Sequence, residues 1–374
     1  VVSSKDAFST ADDFGSMPTA VDSNPAPQNC FDLLRLLFAG MVLWVHARLI
    51  GGFGVDGITA LSRGQVNLGV VGVLGFFAIS GFLVTASFSR SSSAWSYLRR
   101  RILRIFPAFY ANLLITALVI APVICLLATG GLSAYPWFGS DGAFHYIVVN
   151  AGLQIRAWKI GLPPNPDALD GALWSLALEF MCYLTVLVMG LCGALKGKRI
   201  YLLLLTAGLC AFYWVRMVLG GAPYPLVPTF VALGPMEYVV AFGMGACFWS
   251  FHDLLPPDWR IALLLGIVLL TLAKFGGWAL GAPILVPLFV LHLAHCFSLQ
   301  LRHDISYGIY IYYFPVAKLL VTLPFLSKSF TLFFTANVLL TIPLAIFSWF
   351  CVERYFIRRD PSRHAGAADG IRSA

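Results

Sequence analysis

Arg35 and His46 stand eleven positions apart in an otherwise apolar stretch, FDLLRLLFAGMVLWVH (31–46). On a helix that spacing corresponds to about 16 Å of rise and nearly the same face. A guanidinium can grip an anion in a bidentate fork. An imidazole can take a proton near neutral pH. One helix face would then carry an anion-binding group near one end and a base near the other. The plainer alternative is that Arg35 snorkels to the interface beside Asp32 while His46 hydrogen-bonds a neighbouring helix.

Three further stretches carry candidate chemistry. In GALWSLALEFMCYL (171–184), Ser175, Glu179 and Tyr183 recur every fourth residue and so line one helix face. A carboxylate can orient a histidine, so Glu179 is expected to approach His46, with Arg48 or Lys318 as its other available partners. In RRRILRIFPAFY (99–110), Arg100, Arg101 and Arg104 share a face at i, i+3 and i+4, which suits phosphate oxygens and also suits a topological anchor. In ISYGIYIYYFP (305–315), Tyr310 and Tyr313 are placed to face a cavity. Ser80 in GFFAISGF is not set in a G-x-S-x-G elbow and is not read as a hydrolase nucleophile. His292 and His295 at i, i+3 have no third ligand beside them, and no metal is expected.

The elements that must hold these residues are membrane helices. The 374-residue chain is 59% hydrophobic and only 11% charged, against roughly 25% charged in soluble domains. Ten apolar runs, at 31–50, 67–88, 105–129, 171–192, 200–219, 229–250, 260–275, 280–299, 305–326 and 329–351, approach the length needed to cross ~30 Å of hydrocarbon. The sequence therefore predicts an all-α, polytopic bundle of about ten transmembrane helices. All but eight of the 25 Lys and Arg fall on one side, which places both termini in the cytoplasm by the positive-inside bias. The exceptions are Arg48, Arg63, Arg156, Lys159, Arg216, Lys274, Lys318 and Lys328. The formal charge of +8 then belongs to a face near anionic lipid or an anionic ligand, and nucleic acid is not an expected partner.

Residues 1–29 lack hydrophobic periodicity and read as a disordered tail, 30–355 as one membrane domain, and 356–374 as a short basic tail. In the loop 130–170, FHYIVVNAGLQI reads either as a strand or as an interfacial helix. The glycines Gly69, Gly72, Gly75 and Gly81 permit close approach of a neighbouring helix or a bound chain. Eight cysteines lie singly, without metal-ligand spacing, and are expected to be packing residues.

Taken in order, Asp32-x-x-Arg35 with His46, then GFFAISGF, Arg101-x-x-Arg104-x-x-Pro107, LWSLALEF and SYGIYIYYFP resemble the acyltransferase-3 family of integral-membrane O-acyltransferases, over about residues 30–355. That resemblance implies transfer of an acyl group, usually acetyl, from cytoplasmic acyl-coenzyme A to a hydroxyl of an exported or surface glycan, in the cytoplasmic membrane. It implies Arg35, Arg101 and Arg104 at the coenzyme site; Ser80, Tyr310 and Tyr313, by their depth between the arginines and His46, are expected to line the same path. It further implies His46 as an essential residue and Trp174, Ser175 and Glu179 as the family's Trp-Ser…Glu motif; by their similar depth, His46 and Glu179 are expected to be the catalytic pair, and Asp32, Trp174 and Ser175 to lie near the acceptor. Two positions depart from the family pattern: Tyr313 stands where many members have histidine, and Glu353 is kept without the proline that usually follows. With about twenty residues after the tenth run, the chain is expected to be a membrane domain without the extracellular esterase-like domain of some members. The competing class is a proton-coupled transporter, since buried His, Glu and Arg also line proton pathways. Self-similarity between the halves, a common transporter signature, is not found.

Overall fold

The computed structural model describes residues 29–358 apart from 163–167, 196–197, 220–235, 255, 298, 300 and 302. The tails expected at 1–29 and 356–374 thus lie almost wholly outside the described residues.

The described chain is all-helical, and each of the ten apolar runs contributes a helix. In order these are α1 (Phe31–Ile50), the short α2 (Gly57–Leu61), α3 (Leu68–Ser89), α4 (Ala94–Ile115), α5 (Ala121–Thr129), α6 (Ala143–Asn150), α7 (Trp174–Leu191) and α8 (Ile200–Val218). They continue as α9 (Met236–Ser250), α10 (Trp259–Phe275), α11 (Trp278–Ala294), α12 (Ser306–Leu320), α13 (Phe330–Phe347) and α14 (Arg354–Arg358). Among the described residues, six spans are long and apolar enough to cross a membrane by length and composition. Two of these are interrupted by π-helical turns, at Thr116–Ile120 between α4 and α5 and at Ser348–Glu353 between α13 and α14.

Two boundaries differ from the hydropathy reading. The third span begins at Ala94 rather than 105, because Ser93 caps it by accepting from the Ser96 N–H at 3.1 Å. The arginines at 99–104 are therefore inside the helix, which fixes their angular relation. The stretch FHYIVVNAGLQI, open between two readings, is a helix up to Asn150 followed by a turn.

The centre of the bundle is α3, wedged between α1 and α9. A Cβ on Gly81 would collide with the Phe242 carbonyl, one on Gly245 with the Ala78 carbonyl, and one on Gly72 would sit 2.9 Å from the Phe38 carbonyl. These glycines serve helix packing, since small residues let backbones meet where lipid gives no hydrophobic drive. All eight cysteines are free thiols, and five of them are buried.

Candidate active site

At the end of the bundle where α1 begins, Arg104 on α4 is the hub of an ion network. Its Nη2 donates to Asp304 Oδ2 at 3.0 Å and its Nη1 to Glu353 Oε2 at 3.1 Å, while Arg35 Nη1 donates to the same Asp304 oxygen at 2.5 Å. Asp304 lies in the turn before α12, where Ser306 donates to its other oxygen through both N–H and hydroxyl. Burial would raise the Asp304 carboxyl, but Arg35, Arg104 and Ser306 overcome it and hold it well below the usual carboxylate range. Glu353 is supplied by the second π-turn, a distortion common at functional sites. The network ties the start of α1 to the end of the described chain, so both lie at one end of the bundle.

Beside the network opens a cavity of about 280 Å³, lined among others by Arg35, Arg100, Arg101, Arg104, Ser80, Glu179, Tyr183 and Trp349. Arg100 is engaged by Ser91 and Ser96. Arg101 lies over the Tyr183 ring at 5.8 Å, and its buried Nε has no hydrogen-bond partner. Glu179 Oε1 accepts from Tyr183 at 2.5 Å and from Ser80 at 2.9 Å. A narrow extension of about 50 Å³ runs on past Glu179 to Ser175 and Tyr310, whose hydroxyls meet at 2.7 Å. The Tyr310 ring lies 6.3 Å from that of Tyr313.

Tyr313 is fully buried, and its hydroxyl is 3.2 Å from His46 Nδ1. The same Nδ1 lies 3.0 Å from the Val42 carbonyl oxygen. A carbonyl can only accept, so this bond puts the proton on Nδ1 and leaves the lone pair on Nε2.

No direct hydrogen bond or ion pair joins Glu179 to His46; Glu179 lines the arginine-lined cavity, where it accepts from Tyr183 and Ser80. A histidine oriented by its own helix needs no carboxylate to set its tautomer. Arg35, Arg101, Arg104, Ser80 and Glu179 are brought together, and Tyr310 closes their cavity with Ser175. Tyr313 is placed with His46 rather than in that cavity. Trp174 packs against the Tyr238 ring at 5.5 Å and also lines an apolar groove on the other side of α7. Asp32 lines neither part of the arginine-lined cavity and makes no hydrogen bond or ion pair among the described residues.

Asp304 was not legible as a site residue. Its one signal is that it is an acid in an otherwise basic turn, LRHD, at the end where cations collect. His292 accepts from the Asp258 N–H at 3.0 Å and His295 packs among Phe31, Phe82 and Phe248.

The bundle and its buried ionic site define a multi-pass membrane protein with a polar, arginine-lined cavity. The acyltransferase-3 family model, described as an acyltransferase domain, matches residues 28–352, and the chain belongs to that family. It is similar to Nodulation protein 10 of Rhizobium leguminosarum bv. viciae, 29% identical over 374 residues, covering 87% of this chain and 92% of that protein. It is also similar to an O-acetyl transferase of Shigella phage Sf6, 25% identical over 359 residues and covering 88% and 96% of the two chains. A shorter match, 26% over 216 residues, covers 57% of this chain and 49% of the acyltransferase MdmB of Streptomyces mycarofaciens. No solved structure matches significantly.

Proposed function

We propose that the protein transfers an acyl group, acetyl by preference, from acyl-coenzyme A entering at the arginine-rich end to a hydroxyl of a glycan or similar acceptor. The reaction would take place in the cytoplasmic membrane, with the arginine-rich end inside. The observation that carries this reading is a guanidinium-lined cavity whose narrow extension ends at Ser175 and Tyr310, next to the Tyr313–His46 pair. The relative named an O-acetyl transferase supports acetyl as the group and oxygen as the acceptor atom.

Arg101, with an unmet N–H in the cavity wall, is the donor's principal phosphate ligand, and Arg100 stands beside it. Arg35 and Arg104 keep the mouth positive and shaped, since Asp304 and Glu353 already engage them. The donor's arm extends past Glu179 and separates the Ser175–Tyr310 bond. His46 Nε2 takes the proton of the acceptor hydroxyl as its oxygen attacks the thioester carbonyl. The C–S bond breaks, and the imidazolium returns the proton to the departing thiolate. Ester and free thiol are the products, and the enzyme is left as it began.

Purified protein with acetyl-CoA labelled in the acetyl group is the test. Label should pass to a glycan acceptor in the wild type and fail to do so in His46→Ala. Transfer retained at more than half the wild-type rate in folded His46→Ala protein would overturn the assignment.

A further inference from the structure

On the face of α7 opposite Ser175 and Glu179 lies a second cavity of about 450 Å³. Its walls are Phe106 and Phe180 with Trp174, Ala177, Leu178 and Met181, and its roof is the segment 152–158. The size and apolar lining are those of ligand pockets, which run from about 300 to 1,000 Å³. It opens at the surface of the bundle, where Met181 is 45% and Trp158 40% exposed.

The roof is a built feature. Asn150, fully buried, accepts from the N–H groups of Arg156 at 2.8 Å and Ala157 at 3.0 Å and donates to the Ala157 carbonyl at 2.7 Å. The Trp158 carbonyl accepts from the Leu169 N–H at 2.8 Å. Leu153 is held in the left-handed region, φ +66°, with its side chain buried in the cavity wall. A leucine leaves its favoured backbone region only where its surroundings impose it, and such strain gathers at ligand clamps.

Two cations sit on this roof. Arg156 donates to the side chain of Gln154, a lining residue, at 3.4 Å, and Lys159 follows Trp158; both side chains are exposed. They are among the eight basic residues that run against the positive-inside bias. An apolar slot open at the bundle surface beneath a cationic rim complements an amphiphile with a hydrocarbon chain and an anionic head.

We propose that this groove binds one chain of a phosphate-headed lipid of the outer leaflet, its head held by Arg156 and Lys159. The site is independent of the acyl-transfer reading, since it shares no lining residue with the arginine-lined cavity.

The test is thermal unfolding of the purified full chain in a non-ionic detergent, titrated with dioleoyl phosphatidylglycerol, dioleoyl phosphatidylcholine or inorganic phosphate. Phosphatidylglycerol should raise the midpoint by several degrees, phosphatidylcholine by clearly less, and phosphate not at all. Arg156→Gln with Lys159→Gln should make the two lipids equivalent, and Ala177→Phe, which fills the groove, should abolish the response to both. Equal shifts from the two lipids in the wild type would reduce the site to ordinary bilayer contact. Phosphate reproducing the shift would leave only an anion site on the loop. A full phosphatidylglycerol shift in Ala177→Phe would remove the groove from the account. Should that variant not fold, an unchanged lipid preference in the double glutamine variant overturns the proposal.

Discussion

His46 Nδ1 and the Tyr313 hydroxyl lie 3.2 Å apart, while the Val42 carbonyl holds the same nitrogen from below at 3.0 Å. The imidazole is thus oriented from two sides, and its Nε2 is left to do chemistry. Losing a positioned general base typically costs ~10²–10⁴-fold, and His46→Ala should fall in that range in the initial rate of label transfer. Tyr313→Phe keeps the ring packing and the Val42 bond. It should cost less than about tenfold, the size of a single hydrogen bond's contribution.

Asp304 serves two guanidinium groups, so removing its charge leaves two cations facing each other. Asp304→Asn should destabilise the protein by about 3 kcal/mol, as expected when one member of a buried pair is lost. Thermal unfolding in detergent measures this. Adding Arg35→Gln should recover part of the loss, because it removes one uncompensated cation.

Arg104 and Arg101 should separate in their behaviour. Arg104→Lys loses the fork that reaches Asp304 and Glu353 together, so both stability and activity should drop. Arg101→Lys breaks no ion pair among the described residues and should leave the unfolding midpoint near wild type. Its effect should appear in the KM for the acyl donor, raised about tenfold, as read from initial rates across donor concentrations.

Gly245→Ala puts a methyl group into the Ala78 carbonyl where α3 crosses α9, whereas a Cβ on Gly40 meets nothing within 4 Å. The first should cost about 1–3 kcal/mol or more as overpacking. The second should be neutral or slightly stabilising, since alanine favours the helix. Yields of folded protein and unfolding midpoints of the two variants give the comparison.

Asp170, in the turn before α7, is buried, with one oxygen accepting from the Ala172 N–H at 3.0 Å and Asn112 as its neighbouring polar side chain. Burial pushes its carboxyl up to about 8. The folded protein therefore holds a proton that the unfolded chain releases near pH 4. The stability this gives is fully present below pH 4 and is lost as pH rises to 8. Stability measured from pH 4 to 8 should decline with pH in the wild type, and Asp170→Asn should flatten that decline.

The sequence by itself determined the all-helical class and the order of the apolar helices, each of the ten runs contributing a helix. Ten apolar runs in a weakly charged chain leave no other way to satisfy the backbone in hydrocarbon, since every N–H and C=O must be paired within its own segment. It also determined which residues share a face, because a helix's periodicity is local: Ser175, Glu179 and Tyr183 do line one side of α7, and Arg100, Arg101 and Arg104 do line one cavity. Only the tertiary structure decided which faces meet. Depth along a helix, read from chain position, put Glu179 beside His46. In the fold the hydrogen-bond partners of Glu179 are Ser80 and Tyr183, in a cavity shared with the arginines. Asp304 shows the same limit from the other side. A single acid in a turn between two helices has no periodicity to declare its partners, and its role exists only because α1, α4 and α12 converge there.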